Sequence, residues 1–320
     1  MSPPSKAPPA AILCCDHRGE GLSVLLSGKE FEAYRIQSTP DPRSTRAALR
    51  DGRFDLIVLH PLAEGGSAEL AEIENLRGEA PPIPLLLVVE PGDARPAIAA
   101  TRALERGAFD LVHRDASPEE VALRIGRLIE DARSEAEVEE LRHRALHDDR
   151  TDLLRPAAFE QRLAEHFSAA ERHRLPMAFV MIDLDGFGRV NKEYDHVVGD
   201  RVIARVGAAI RVALRAEDVA GRMGGDEFAV VLPYTGRIDA AHAVRRLRDE
   251  IRAQSQLVEG VAPGFRIRAS LGFETFDGSN LASFAEMRAH AEAALQEAKR
   301  RGGDRGVYYR SLARPDETPG

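Results

Sequence analysis

A tight turn that runs directly into an apolar segment is the feature that most restricts how this chain can fold. Gly224 and Gly225 are adjacent, Asp226 and Glu227 follow at once, and an apolar run rich in β-branched and aromatic residues occupies positions 228–232. Two glycines can adopt positive φ at both central positions of a tight hairpin turn. The run after them has the length and composition of a buried strand. The pattern predicts a hairpin whose tip presents two carboxylates.

A second acidic strand end lies upstream of this hairpin. An apolar run leads into Asp183-Leu184-Asp185, and because side chains alternate along a strand, we expect Asp183 and Asp185 to point the same way. Such carboxylates suit Mg²⁺, which prefers oxygen ligands and is usually held by one or two carboxylates together with substrate phosphates. With Asp226 and Glu227 they would supply a two-metal site for phosphoryl transfer. For either motif alone, ordinary solvated acids are the alternative.

Four ordered segments resemble the GGDEF family of diguanylate cyclases, and they span about half of the chain, from near Asp148 to about Tyr309. They are the signature at 222–233, a long motif at 183–200, a Ser-x-Gly strand at 269–272 and the last helix at 291–299. The resemblance implies an α+β domain with the palm-like fold of cyclases and polymerases. It also implies a reaction that joins two GTP molecules into cyclic di-GMP and releases two pyrophosphates. Each domain holds one GTP, so the resemblance implies a homodimer, with Mg²⁺ or Mn²⁺ as the cofactor.

The same resemblance assigns roles to the acids. Asp183 and one acid of the signature pair would bind the metal, assisted by the carbonyl group of Leu184, and Asp226 or Glu227 would help to deprotonate the attacking 3′-hydroxyl group. The sequence does not divide the last two roles. The implied metal ligands are Asp183, Leu184, Asp226 and Glu227, and the implied catalytic residues are Asp226 and Glu227. Catalysis of this kind depends mostly on positioning and on neutralising charge.

Asn191 and Asp200 are implied to select guanine. A carboxylate accepts from guanine N1–H and N2–H, an amide can donate to a ring acceptor or O6, and adenine would leave Asp200 facing the wrong pattern. The alternatives are a helix-surface amide for Asn191 and a helix N-cap for Asp200. Backbone N–H groups at 186–188 are expected to cradle the phosphates, with Lys299 as a phosphate cation. The implied GTP-binding set is Phe187, Gly188, Asn191, Asp200, Gly224, Gly225 and Lys299.

The chain departs from the family pattern where cations are expected. Lysine is usual where Gly188 stands and arginine where Gly303 stands, and the opening motif at 148–156 differs from the usual Asp-x-Leu-Thr-Gly-Leu-x-Asn-Arg. Arginines at positions 300, 301 and 305 are possible substitutes. The acids are all present, which favours an active enzyme, of low or gated activity, over a silent cyclic di-GMP receptor or a scaffold.

Arg215 and Asp218 resemble the Arg-x-x-Asp site at which the family binds its product as an inhibitor. Their spacing before Gly224 fits that site, and Arg246 matches a second arginine that a neighbouring domain uses. Arginine forks suit bidentate contacts to phosphate and guanine. Surface charge is the alternative for Arg-x-x-Asp taken alone. The resemblance implies product inhibition through Arg215, Asp218 and Arg246.

Strand and helix patterns alternate in the N-terminal half. Strands are indicated at 11–15, 54–59, 83–89 and 107–114, and helices at 44–50, 68–76 and 95–106. Ser117 is a good N-cap for a further helix, with proline next and acids in the first turn. This alternation predicts an α/β fold with a doubly wound parallel sheet.

This half resembles a response-regulator receiver domain, with weaker motifs. A working receiver needs an acidic pair after its first strand, an aspartate ending the third and a lysine ending the fifth. Here a single acid, Asp16, follows the first strand, His60 occupies the nucleophile position and Arg114 replaces the lysine. The resemblance implies a pseudo-receiver used for dimerisation or for binding a protein partner. Whether His60 accepts phosphate is left open, because a histidine at a strand end is more often structural.

Apolar residues at spacings of mostly three and four continue from 121 to 146. The pattern suits a two-stranded coiled-coil connector, and a surface amphipathic helix fits it equally well. The predicted organisation is a disordered tail at 1–9, a receiver-like domain at 10–133, a helical linker at 134–147, a GGDEF domain at 148–312 and a tail at 313–320.

The composition restricts the class of protein. The net charge of −8 and the pI near 5.8 argue against a general binder of nucleic acid or membrane surfaces. No apolar run is long enough to span a bilayer, and the N-terminus lacks the apolar region of a signal peptide. Cys14 and Cys15 are adjacent and suggest neither a disulfide framework nor a zinc site. We expect a cytoplasmic bacterial signalling protein.

Overall fold

The computed structural model describes residues 9–19, 21–61, 83–90, 109–262 and 264–312. The chain divides into two compact units, Met1–Leu141 and Arg142–Gly320. The division falls within the predicted helical linker. The other domain limits given above remain predictions.

The N-terminal unit contains a five-stranded sheet in the order β2-β1-β3-β4-β5. All its strand pairs are parallel, and this order is one of the two common doubly wound arrangements. The strands are β1 (Ala10–Asp16), β2 (Tyr34–Thr39), β3 (Leu56–His60), β4 (Leu85–Val89) and β5 (Phe109–His113). The predicted parallel sheet is confirmed.

Helices cover both faces of this sheet. Ala48 of α2 (Pro42–Asp51) packs on one face, whereas α1 (Leu22–Leu25) and Ile125 of α3 (Pro118–Leu146) pack on the other. Successive strand residues therefore enter different cores, as expected for alternating side chains. Cys14 and Cys15 follow this rule and lie buried on opposite faces.

The sequence patterns missed β2, because its side chains are mostly polar and exposed at the edge of the sheet. A short 3₁₀ helix at Lys29–Phe31 was also not predicted. The helix predicted at 44–50 is α2. Those predicted at 68–76 and 95–106 lie outside the described residues.

The long helix α3 begins as predicted, with the Ser117 hydroxyl group accepting from the backbone N–H of Glu120 at 3.2 Å. Its first turns bury Val121 and Ile125. Farther along, Val138 and Leu141 are 43% and 57% exposed. These exposed apolar residues are compatible with a coiled coil, which remains a prediction.

The C-terminal unit is built on a mostly antiparallel sheet in the order β10-β9-β6-β8-β7. Only the pair formed by β9 and β10 is parallel. The strands are β6 (Met177–Leu184), β7 (Val219–Gly224), β8 (Glu227–Pro233), β9 (Ala269–Phe276) and β10 (Gly306–Tyr308). Central β6 is buried along its whole length, as its uninterrupted apolar run predicts.

Among the described residues of this unit, five helices enclose the sheet from both sides. The helices α6 and α7 contribute to the core on one face, and α4 and α8 to the core on the other. They are α4 (Pro156–His173), α5 (Phe187–Tyr194), α6 (His196–Ala213), α7 (Arg237–Ala253) and α8 (Phe284–Arg300). Short 3₁₀ helices occupy Gln254–Leu257 and Tyr309–Ser311. Over the described part of the chain, no helix combines the length and apolar character needed to cross a membrane.

Candidate active site

The two acidic strand ends meet at one edge of the C-terminal sheet. Asp183, near the end of β6, lies opposite Glu227 on β8 and opposite Ser270 on β9. The backbone N–H of Leu184 donates to the carbonyl group of Asp226 at 3.3 Å. The signature turn is thus hydrogen-bonded to the strand that carries Asp183, and the four residues predicted to hold a metal are neighbours.

The turn differs slightly from the predicted hairpin tip. Gly224 pairs with Glu227, so the two central turn residues are Gly225 and Asp226. Gly224 and Gly225 have φ of 152° and 53°, which L side chains rarely adopt. A Cβ at either position would meet no atom within 4 Å. Backbone conformation, and not crowding, therefore requires glycine here.

Asp183 is buried and paired with a lysine. Its side chain is 10% exposed, and one carboxylate oxygen lies 2.7 Å from Lys299 Nζ on α8. Burial raises the pKa of Asp183, and the negative charges of Asp226 and Glu227 raise it further, while Lys299 opposes both effects. The site thus concentrates negative charge, and Lys299, predicted to be a phosphate cation, neutralises part of it.

A divalent metal fits this set of oxygen donors. No cluster of three or more His, Cys, Asp or Glu side chains suited to a metal occurs in the described ranges. Mg²⁺ does not need one, since it is usually held by one or two carboxylates plus waters and substrate phosphates. Asp183 with Asp226 or Glu227 meets that requirement, and the raised pKa of Asp183 indicates a carboxylate that a nearby cation would stabilise.

Asp185 accepts hydrogen bonds from two groups of the protein. It lies one residue beyond β6, and that it points the same way as Asp183 remains a prediction. Its two oxygens accept from the Ser270 hydroxyl group and from the backbone N–H of Asp304, both at 2.7 Å. A Cβ on Gly303 would lie 2.7 Å from the same carboxylate, and Gly303 has φ of 72°. The arginine usual in the family would be strained at position 303 in this turn.

The predicted guanine-selecting residues lie close together on α5 and α6. The amide oxygen of Asn191 contacts Gly199, the residue before Asp200, so closely that no Cβ would fit there. Asp200 is not a helix cap, because α6 begins at His196 and the side chain of Asp195 caps it. Instead, the Asp200 carboxylate lies 2.7 Å from Nη1 of Arg150.

The expected phosphate loop forms the start of α5. Gly186 has φ of 74° and precedes the first helical residues, Phe187 and Gly188. Position 188 is open, with no atom within 4 Å of a Cβ. The guanidinium of Arg189 lies against Gly186 and places a positive charge beside this loop. Sequence analysis did not single out Arg189. The signal that could have found it is its position next to Gly188, where the family usually has lysine.

Two of the three predicted product-site residues border a cavity of about 790 Å³ in the C-terminal unit, and Arg246 is not among its lining residues. Arg215 and Asp218 line it, and the Asp218 carboxylate accepts from the backbone N–H of Arg215 at 2.9 Å. Burial raises the pKa of Asp218, whereas the Arg215 N–H and the charges of Arg215 and Arg246 oppose the increase. Arg246 donates to the carbonyl group of Ala213 at 2.7 Å.

Sequence analysis also missed the arginine that supports the signature turn. Arg222 on β7 donates to the carbonyl group of Gly225 through Nε at 3.2 Å and Nη2 at 2.8 Å. Its Nη1 donates to both carboxylate oxygens of Asp148, and Oδ1 of Asp148 also accepts from the backbone N–H and the hydroxyl group of Thr151. The signal that could have found Arg222 is its position two residues before Gly224.

The histidine at the receiver nucleophile position is inaccessible. His60 is fully buried, with Nε2 3.1 Å from a carboxylate oxygen of Glu90 and Nδ1 3.6 Å from one of Asp16. This arrangement favours the structural interpretation of His60.

Comparison with known proteins identifies the family. The model of the family described as "Diguanylate cyclase, GGDEF domain" matches residues 145–305, which is half of the chain. This chain belongs to the GGDEF family. It is 32% identical over 183 residues to diguanylate cyclase DgcP of Pseudomonas aeruginosa, a match covering 57% of this chain and 27% of DgcP.

Other GGDEF proteins give a consistent result. Diguanylate cyclase TpbB of Pseudomonas aeruginosa is 38% identical over 141 residues, covering 44% of this chain and 32% of TpbB. The chain thus matches about a third or less of these two relatives. The coiled coil and GGDEF domain of DgcB from Caulobacter crescentus, solved in complex with c-di-GMP, aligns with a TM-score of 0.50 at 23% identity, covering 68% of this chain and all of that one. This likeness supports the fold.

Proposed function

We propose that this protein is a diguanylate cyclase that converts two GTP molecules into cyclic di-GMP and two pyrophosphates. The observation that carries the proposal is the edge where Asp183 lies opposite Glu227 while Leu184 binds the signature turn through Asp226. The relatives DgcP and TpbB are both named diguanylate cyclases, which supports the same activity for this chain.

The chain's own residues have distinct tasks in this reaction. Asp183 and one acid of the signature pair hold a divalent metal, Mg²⁺ or Mn²⁺, which neutralises phosphate charge when bound. Asn191 and Asp200 bind guanine, and the start of α5 with Gly224 and Gly225 receives the phosphates.

Each attack forms one phosphorus–oxygen bond and breaks another. The 3′-oxygen of one GTP attacks the α-phosphorus of the other, and the bond from that phosphorus to the bridging oxygen breaks, which releases pyrophosphate. Asp226 or Glu227 accepts the 3′-hydroxyl proton. The reverse attack closes the ring. One site holds one GTP, so two copies of the domain must face each other, and we propose a homodimer.

Regulation forms a further part of the proposal. The cavity bordered by Arg215 and Asp218 would bind cyclic di-GMP and inhibit the enzyme, with Arg246 contributing a further charge. The N-terminal parallel sheet would act as a pseudo-receiver that dimerises or binds a protein partner. GTP is a cytoplasmic metabolite, and we place the protein there.

A silent cyclic di-GMP receptor is the second candidate. The cavity beside Arg215 favours it, as does the lack of a cationic side chain at Gly188 and Gly303. Purified protein incubated with GTP and Mg²⁺, followed by chromatography, separates the two. We expect cyclic di-GMP from the wild type and more from Arg215→Ala. Binding of cyclic di-GMP by the wild type with no product from either protein would favour the receptor.

A further inference from the structure

Arg150 is paired with the carboxylate proposed to read guanine. Its Nη1 lies 2.7 Å from Oδ1 of Asp200, and the two side chains are 51% and 47% exposed. Arg150 stands within the opening motif that departs from the family pattern, at a position where that pattern has leucine. Any base bound by Asp200 therefore arrives within reach of a guanidinium that the family pattern does not include.

The backbone beneath Arg150 is fixed while its side chain is accessible. The next residue, Thr151, is 1% exposed and binds Asp148 through both its backbone N–H and its hydroxyl group. The Thr151 carbonyl group accepts from Arg211. Arg150 therefore extends from a rigid turn, and an exposed arginine–carboxylate pair is weak enough for a ligand to rearrange it.

Guanine offers complementary groups to both members of the pair. Its N1–H and N2–H donors suit the Asp200 carboxylate, and O6 and N7 on the adjoining edge are acceptors. Arginine has only donors, arranged in a planar fork, and the pairing of arginine with guanine O6 and N7 is the commonest specific contact to that base in DNA.

We propose that Arg150 is a specificity residue that donates to O6 and N7 of the guanine whose N1–H and N2–H bind Asp200. This inference rests on the proposed function. Adenine carries an amino group in place of O6, so the N–H donors of that amino group would face the N–H donors of Arg150. Arg150 thus rejects adenine independently of Asp200.

Two modified nucleotides distinguish the contribution of Arg150 from that of Asp200. 7-Deaza-GTP lacks the N7 acceptor, and ITP lacks the N2 amino group. We would measure kcat/KM by pyrophosphate release, and Kd by calorimetry with Mg²⁺ if turnover is slow, for the wild type, Arg150→Met and Arg150→Lys. The matched control is Arg248→Met, which removes another 2.7 Å arginine–carboxylate pair from the same unit.

For the wild type, the ratio of kcat/KM (or of affinity) for GTP to that for 7-deaza-GTP should be about ten, equivalent to roughly 1.4 kcal/mol. That ratio should approach one in Arg150→Met, remain intermediate in Arg150→Lys and stay unchanged in Arg248→Met. The preference for GTP over ITP should persist in Arg150→Met, because Asp200 is intact. An unchanged GTP to 7-deaza-GTP ratio in Arg150→Met would overturn the inference. A wild type that neither binds nor converts GTP would instead overturn the proposed function.

Discussion

Asp148 and Arg222 form an ion pair in which Nη1 of Arg222 lies 3.1 and 3.2 Å from the two carboxylate oxygens. The side chain of Arg222 is only 10% exposed and that of Asp148 only 21%. The same guanidinium holds the carbonyl group of Gly225. The start of the domain is thereby connected to the turn that carries Asp226.

Replacing Arg222 should impair both stability and catalysis. Hydrogen bonds to charged groups contribute about 1.5–3 kcal/mol, so we expect Arg222→Met to lower the free energy of unfolding by about 2–3 kcal/mol and kcat by at least tenfold. Denaturant unfolding and initial rates measure the two effects. Arg162→Met, which removes the exposed pair with Glu165, should change stability by less than about 0.5 kcal/mol. Equal effects in the two variants would contradict this role.

The ion pair should also give acid sensitivity. Burial alone would raise the pKa of Asp148, but hydrogen bonds from Thr151 and Arg222, with the charge of Arg222, hold it below its ordinary value. The unfolded chain takes up this proton near pH 3.9 and the folded chain only at lower pH. The stabilisation is therefore fully present above the unfolded pKa and is lost as pH falls through the folded pKa.

Asp148→Asn tests this pH dependence. At neutral pH the variant should be less stable than the wild type, and the difference in the free energy of unfolding should shrink below about pH 4. Urea unfolding at a series of pH values measures it. A difference that stays constant across that range would show that Asp148 ionisation contributes nothing.

Lys299 and a metal ion should compete for Asp183, because the ammonium group lies 2.7 Å from the carboxylate. In Lys299→Met, Mn²⁺ should bind the nucleotide-free protein several-fold more tightly, since no ion pair must break. GTP should bind more weakly, because a phosphate cation is lost. Calorimetry at pH 8 measures both, with Lys29→Met as the charge-matched control in the other unit. Weaker binding of both Mn²⁺ and GTP by Lys299→Met would contradict the competition.

The two family cations that this chain lacks should differ in whether they can be restored. Gly188 is open, so Gly188→Lys should fold normally and lower the KM for GTP several-fold. Gly303 has φ of 72° and no room beside Asp185, so Gly303→Arg should cost about 1–3 kcal/mol of stability and give no gain in activity. Thermal unfolding and initial rates compare them, with Gly188→Ala as the control. Activation by Gly303→Arg would refute this account of the turn.

Much of the fold followed from local sequence patterns. The apolar runs that became β6 and β8, and the glycine turn between β7 and β8, are visible because strand burial and positive φ restrict residue choice locally. The edge strand β2 was missed because its polar side chains carry no burial signal. The alternative that Asp200 is a helix N-cap was wrong, because Asp195 caps α6 from φ of 97°, which a sequence pattern does not reveal.

The ion pairs of the site could not be predicted in this way. Arg222 and Asp148 are 74 residues apart, and the partners of Asp183 and Asp200 also come from distant segments. Periodicity reports which residues share a face of one element, whereas these contacts depend on how several elements pack. For the same reason the sequence could not predict the hydrogen bond that Asp185, just beyond β6, accepts from the backbone N–H of Asp304 in a turn near the end of the domain.

The stoichiometry of the reaction tests the central claim most directly. Arg215→Ala protein, which we propose is free of product inhibition, is incubated with GTP and Mg²⁺, and cyclic di-GMP and pyrophosphate are quantified in the same samples. We predict two pyrophosphates for each cyclic di-GMP, and loss of both products in Asp183→Asn. GTP that remains unconsumed, or that is converted to GDP and phosphate, would contradict the assignment of this site as a diguanylate cyclase.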